Sequence, residues 1–161
     1  MKDSDNLNYL IFEDKDWALK SAILLAEKIK LCCLNKGQCN FMLTGGQSAS
    51  LVYVELFPLI STLSSNIKFY FGDERCVSKS SPDSNFNMVM QALQENFNKY
   101  EFFRIRGDAN NLIEECDRYA NLLPKHIDIL LLSIGDDAHI ASIFPNFDIA
   151  INEKNIVITS S

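Results

Sequence analysis

Short apolar runs that stop abruptly on glycine or acidic residues, each followed by a stretch with helical spacing, constrain this 161-residue chain more than any other feature. Phe41-Met42-Leu43 runs into Thr44-Gly45-Gly46, and NIKFYFG at residues 66–72 runs into Asp73-Glu74-Arg75. Ile129–Leu132 runs into a small acidic turn holding Gly135, Asp136, Asp137 and His139. Runs of this length bounded by turn residues read as buried strands. Strands and helical stretches alternate with short connections and without an internal repeat. That pattern predicts one α/β domain over residues 1–161: a three-layer α/β/α arrangement, with a mostly parallel Rossmann-like sheet and helices on both faces.

The individual elements follow from the same periodicities. Asn8–Glu13 reads as a short strand, and residues 15–34 as a helix capped by Asp14 or Asp16, with Ala18, Ala22, Ala26 and Ile29 as its apolar stripe. Asn40–Thr44 is a strand. The helix after it places Leu51, Val54 and Phe57 inward and has Pro58 near its end. Asn66–Gly72 is the third strand, Ser78–Asp83 a serine-rich loop, and Phe86, Val89 or Met90, Leu93 and Phe97 mark the next helix. Glu101–Arg106 is a short strand, Ala109–Leu123 a helix stopped by Pro124, and Asn155–Thr159 a last candidate strand.

Composition limits the function classes. A formal charge of −6 without a lysine or arginine cluster argues against nucleic acid as a partner. An apolar fraction of 47% supplies a sizeable core, yet no run approaches the roughly 20 apolar residues of a membrane-spanning helix. The amino terminus lacks the apolar segment of a secretory signal. Five cysteines (Cys32, Cys33, Cys39, Cys76 and Cys116) are odd in number and lack CxxC spacing, so neither a disulfide framework nor a zinc site is indicated. Buried, reduced thiols in a cytoplasmic protein are the expectation.

The carboxyl ends of parallel strands are where open α/β sheets bind ligands, so the residues just beyond each run are the candidates for chemistry. Asp137 and His139 form the first pair. A carboxylate beside an imidazole orients the ring, holds one tautomer and stabilises the imidazolium, the equipment of a general base worth roughly 10²–10⁴-fold in rate. The competing reading has His139 capping a turn and Asp137 capping a helix. At Gly45-Gly46-Gln47-Ser48, two glycines let the backbone turn tightly before a helix whose first N–H groups suit an anion, although the spacing fits neither a Walker loop nor a dinucleotide fingerprint. A plain tight turn is the alternative there. Asp73 and Arg75 are candidates for sugar hydroxyls or proton transfer and for a phosphate fork, against a structural ion pair.

Three blocks carry a resemblance. LTGGQSASLVY at residues 43–53, FGDERCVSKSSPDSNFNMV at residues 71–89 and LLLSIGDDAHIASIFP at residues 130–145 together resemble the 6-phosphogluconolactonase family, in family order and at family-like separations. The resemblance implies hydrolysis of 6-phosphogluconolactone to 6-phosphogluconate in the pentose phosphate pathway, with no metal and no cofactor. It implies that His139 activates a water, that Asp137 supports it, and that Arg75 and the loop Gly45, Gly46, Gln47, Ser48 hold the phosphate. Asn85 of the Ser-Asn pair either braces the site or touches the sugar. The expected partner is a small sugar phosphate, with neither nucleic acid nor membrane involved. Fusion to, or action beside, glucose-6-phosphate dehydrogenase also fits, since family members in some organisms are joined to that enzyme.

The chain departs from the family pattern in three places. Ala138 stands where the family has glycine before the histidine, and Ser133 replaces the first glycine of the same block, at a position read as still inside the strand. Family members also continue past Ser160-Ser161 into a basic segment, so the expectation is a domain lacking that segment, as a fragment or a short form. The related glucosamine-6-phosphate deaminases carry a glutamate just before the proline of this block, where this chain has Phe144, which cannot transfer a proton. A deaminase-like enzyme, or a weakly catalytic sugar-phosphate-binding module, is therefore the alternative to the lactonase.

Overall fold

The computed structural model describes residues 10–13 and 15–145, without the side chains of residues 95–97. Four strands, β1 (Cys39–Leu43), β2 (Ile67–Phe71), β3 (Glu101–Phe103) and β4 (Ile129–Leu130), form one parallel sheet in the order β3-β2-β1-β4. Helix α1 (Trp17–Lys36) precedes β1, and α2 (Gln47–Leu59), α3 (Asn85–Leu93) and α4 (Leu112–Leu122) connect successive strands, so the three-layer α/β expectation holds.

Packing follows from the alternation of side chains along each strand. Phe41 and Phe69 are fully buried neighbours with ring centroids 5.8 Å apart, and Phe57 of α2 meets Phe69 edge-on at 5.7 Å. On the other face Tyr70 and Phe103 stack at 4.8 Å. Helices α1, α2 and α3 lie side by side in one layer. The chain must then return from β3 past β2 and β1 to reach β4, and the right-handed rule puts that crossover and α4 on the opposite face. Between β1 and β4 the winding direction reverses. The carboxyl edge at such a reversal is where open α/β sheets bind ligands.

Two tyrosines finish the strands at that edge. The Tyr53 hydroxyl on α2 accepts from the Thr44 N–H and donates to the Thr44 carbonyl, both at 2.9 Å. The Tyr119 hydroxyl on α4 does the same for Phe71, at 2.8 Å in each direction. Each buried hydroxyl satisfies both main-chain groups of a residue at the end of a central strand, Thr44 just past β1 and Phe71 one residue beyond the last β2–β3 pair. Glu115, also buried on α4, accepts from the Arg106 N–H at 2.7 Å and from Arg118, fixing the turn after β3.

Several boundaries differ from expectation. Residues 10–13 of the expected first strand have no regular structure, and Leu10 and Ile11 stay exposed, because among the described residues no strand neighbour completes their backbone hydrogen bonds; residues 8–9 lie outside the described residues. The first helix runs two residues further than read, to Lys36, and Gly37 just after it has a φ of +79° that lets its N–H turn back to the Cys33 carbonyl. The helix expected to reach Phe97 stops at Leu93, since Gln94 adopts φ +53° and the chain continues as a 3₁₀ helix over Gln94–Lys99. Ser133 lies beyond β4, not within it. The candidate strand Asn155–Thr159 falls outside the described residues.

Candidate active site

The loop after β1 is built around its two glycines. Gly46, at φ +100°, occupies a conformation that side chains resist, and α2 starts at the next residue with no side chain capping its first N–H groups. Gln47 and Ser48 are exposed in that first turn, where the partial positive charge of the helix favours an anion. From the exit of β4, Ser133 donates its hydroxyl to the Gly45 carbonyl at 3.2 Å, which leaves Thr44 to donate to Ser133 Oγ at 3.3 Å. These bonds stitch the exits of β1 and β4 together.

At the exit of β2 the three charges have three different surroundings. Glu74 turns back to cap α3: its carboxylate accepts from the N–H groups of Asn85 (2.8 Å) and Phe86 (2.9 Å), and from the Ser84 hydroxyl (3.0 Å). A carboxylate at a helix start is favourable both as an acceptor and as a charge. Arg75 is exposed, and among the described residues its guanidinium makes no ion pair. The structural ion pair considered for this segment is therefore not what forms. Gly107 supports the same turn, since a Cβ there would lie 1.9 Å from the Arg75 carbonyl oxygen.

Asp73, the first charge after β2, is half-buried. Burial pushes its carboxyl above the usual range, the Ser142 hydroxyl bond at 3.2 Å pulls it back, and the charges of Arg75 and His139 pull it down further. Arg75 and His139 thus both bear on one half-buried carboxylate. Asn85, itself buried, donates from Nδ2 to the Asp73 carbonyl and to its Oδ1, each at 3.2 Å. Its carboxamide also lies directly against Gly45. Of the two roles left open for Asn85, bracing is the one its contacts describe.

The segment after β4 folds back on itself through bridges between Ile134 and Ile140 and between Ile140 and Ile143. Within it the His139 imidazole pairs through Nδ1 with Asp137 Oδ1, and the His139 N–H also reaches that oxygen at 3.3 Å. These bonds hold the exposed Asp137 below the usual carboxylate range, with the side-chain bond from His139 as the larger cause. An ionised Asp137 accepts the Nδ1 proton, and Nε2 is then the imidazole nitrogen left to act as a base. Gly135 lies beneath the ring, where a Cβ would stand 2.2 Å from Cε1, and Phe144 packs beside it with centroids 5.2 Å apart. Ala138 adopts φ +66° and Ala141 φ +52°, so the residue that replaces the family glycine carries the left-handed strain.

The contacts close a ring: Gly45 against Asn85, Asn85 to Asp73, Asp73 to Ser142, and the Ser142 segment back through Ser133 to Gly45. Of the nine expected site residues, Gly45, Gly46, Asp73, Arg75, Asp137 and His139 lie on the three loops so joined, while Gln47 and Ser48 open α2 and Asn85 opens α3. Glu74, Ser133 and Ser142 were not among them: Glu74 reads as one of three charges in need of partners, Ser133 as a glycine replacement inside the strand, and nothing local gives Ser142 its partner. Among the described residues, one group has the donors and proximity to hold a metal ion, Cys32, Cys39 and Asp128, and it lies at the other edge of the sheet.

A parallel α/β sheet with its polar groups gathered at the strand-order reversal defines a ligand-binding protein of the doubly wound class. Within that class the chain belongs to the family described as glucosamine-6-phosphate isomerases/6-phosphogluconolactonase, whose model matches residues 13–161. It is 32% identical over 126 residues to a 6-phosphogluconolactonase of Pseudomonas aeruginosa, covering 76% of this chain and 52% of that protein. It is 30% identical over 154 residues to a bifunctional glucose-6-phosphate 1-dehydrogenase/6-phosphogluconolactonase of Plasmodium falciparum, covering 88% of this chain and 17% of that one. The crystal structure of a putative 6-phosphogluconolactonase from Neisseria gonorrhoeae matches with a TM-score of 0.70 and 27% identity, over 84% of this chain and 61% of that one. The chain thus spans about half the length of the Pseudomonas relative. No described helix is long and apolar enough to cross a membrane.

Proposed function

We propose that this chain carries the hydrolytic site of a 6-phosphogluconolactonase. The observation that supports the reading best is the His139–Asp137 pair, set on a segment that Ser142 ties to Asp73 at the carboxyl edge of the sheet. In the proposed reaction His139 Nε2 takes a proton from water as the water oxygen attacks the lactone carbonyl. The tetrahedral intermediate then breaks its bond to the ring oxygen, which receives the proton back from the imidazolium, and the new carboxylic acid loses its own proton to solvent. Asp137 keeps Nδ1 protonated and stabilises the transient positive charge.

Arg75 and the N–H groups of Gln47 and Ser48 hold the phosphate, an anion that an exposed guanidinium and an uncapped helix start both attract. Asp73 accepts a sugar hydroxyl, and Asn85 keeps Asp73 and Gly45 in register. Neither metal nor cofactor takes part. The setting is cytoplasmic sugar-phosphate metabolism, and the fused Plasmodium relative makes glucose-6-phosphate dehydrogenase the natural supplier of substrate.

The deaminase alternative is disfavoured by Phe144, whose ring packs on His139 where that chemistry needs an acid. Lactone hydrolysis and ammonia release from glucosamine 6-phosphate, measured on this chain and on one extended by its native downstream sequence, separate the readings. The lactonase reading expects lactone hydrolysis above the spontaneous rate that His139→Ala abolishes, and a raised KM in Arg75→Ala. Equal rates in wild type and His139→Ala would leave only a sugar-phosphate-binding module.

A further inference from the structure

At the amino-terminal edge of the sheet, opposite the candidate active site, the fold gathers two thiols and a carboxylate from three separate parts of the chain. Cys32 lies on α1, Cys39 opens β1 and Asp128 immediately precedes β4, and one donor atom from each lies within 4.8 Å of the other two. Cys39 is fully buried and the Asp128 side chain is 7% exposed, while Cys32 is half-buried and open to solvent. We propose that Cys32, Cys39 and Asp128 bind one thiophilic divalent cation of the zinc class, at a site separate from the one that would hold the sugar phosphate.

The distances suit such an ion. Two sulfurs each about 2.3 Å from a tetrahedral centre stand about 3.8 Å apart, inside the spread these donors occupy. A solvent molecule reaching past Cys32 completes the tetrahedron. The carboxylate is already aimed: Asp128 Oδ2 accepts from the Asn40 N–H at 2.9 Å, and Oδ1 pairs with the exposed Lys36 ammonium. Outer partners of this kind orient a ligand before the ion arrives.

Charge closes as well. As the metal–sulfur bonds form, each thiol releases its proton to solvent. Two thiolates and one carboxylate then face a divalent cation, and the Lys36 ammonium cancels the remaining negative charge. The neighbouring Cys33 has a different role: it is buried and directs its sulfur to the Asn66 carbonyl at 3.8 Å, away from the cluster. A cation held here joins the end of α1, the start of β1 and the entry to β4, so binding stabilises the folded chain.

Cadmium titration of the chain under a non-thiol reductant tests the site through the ultraviolet thiolate-to-cadmium charge-transfer band. One equivalent saturates the band, and a variant with Cys33, Cys76 and Cys116 all replaced by serine retains it. Cys39 is fully buried, so Cys32→Ser and Asp128→Asn carry the loss-of-ligand test, and each weakens binding by about tenfold or more. Zinc raises the Tm of the wild type and not that of Cys32→Ser. Absence of a saturable band, a band kept by Cys32→Ser and lost in the triple variant, or an equal zinc shift in wild type and Cys32→Ser would overturn the proposal. None of these readouts depends on lactone hydrolysis, so the metal site and the proposed reaction stand or fall separately.

Discussion

The carboxamide of Asn85 lies so close to Gly45 that a methyl group on Gly45 would come within 2.1 Å of Asn85 Oδ1. Asn85 cannot swing away cheaply, because it is buried and its Nδ2 is engaged twice by Asp73. One close approach therefore sets the relative position of the proposed phosphate loop and the Asp73 carboxylate.

Gly45→Ala is expected to destabilise the chain by about 1–3 kcal/mol, the range for overpacking a closed site. Adding Asn85→Ala makes room for the methyl group. Urea unfolding of the four members of this double-mutant cycle should show a favourable coupling between the two changes; strict additivity would mean that the contact carries no energy.

Ala138 holds φ +66° without the freedom of glycine. Replacing it with glycine removes a left-handed penalty of about 1–2 kcal/mol, partly offset by the greater entropy of the unfolded chain. The expected net result is a modest rise in Tm by calorimetry, with the His139 segment better ordered. A fall in Tm would show that the Ala138 methyl makes contacts worth more than the strain.

Burial raises the Asp73 carboxyl above its ordinary range, so the folded chain holds that proton more tightly than the unfolded chain does. Stability from this residue is full below the ordinary carboxylate range and declines as pH rises through the raised value. Asp73→Asn keeps an acceptor for Ser142 and removes the half-buried charge. The gap in stability between Asp73→Asn and wild type should open on going from acid to neutral pH and then level off, as read from denaturant melts at several pH values.

Glu115 moves the other way. Burial alone would raise its carboxyl, but the bonds from Arg118 and the Arg106 N–H outweigh it and hold the group below the usual range. Its contribution is present above the ordinary carboxylate range and is lost as pH falls through the lowered value. Glu115→Ala leaves a half-buried guanidinium and a main-chain N–H without their acceptor, at a cost of about 2–4 kcal/mol. Thermal melts of this variant should show a lower Tm at neutral pH and a smaller deficit in acid.

Tyr53→Phe and Tyr119→Phe each strip both partners from the last main-chain groups of a central strand. A loss of about 1–3 kcal/mol apiece is expected. Amide exchange at Thr44 and Phe71 should accelerate in the corresponding variant; unchanged protection would mean that water replaces the hydroxyl without loss.

Local patterns in the chain were enough to establish the alternation of strands and helices, the polar strand ends and the three family blocks, because side-chain period and turn residues act over a few positions. They also placed His139 beside Asp137, two residues away. What paired across long stretches was decided by strand order and loop geometry. Tertiary structure made Glu74 a cap for α3, sent Ser142 to Asp73 and Ser133 to Gly45, and turned Asn85 into a brace. It also left Leu10 and Ile11 exposed, since an apolar run becomes a strand only where a neighbour supplies its hydrogen bonds. The gathering of Cys32, Cys39 and Asp128 is the extreme case. Nothing in their spacing announces it, because β1 and β4 are adjacent only once the sheet has reversed its winding.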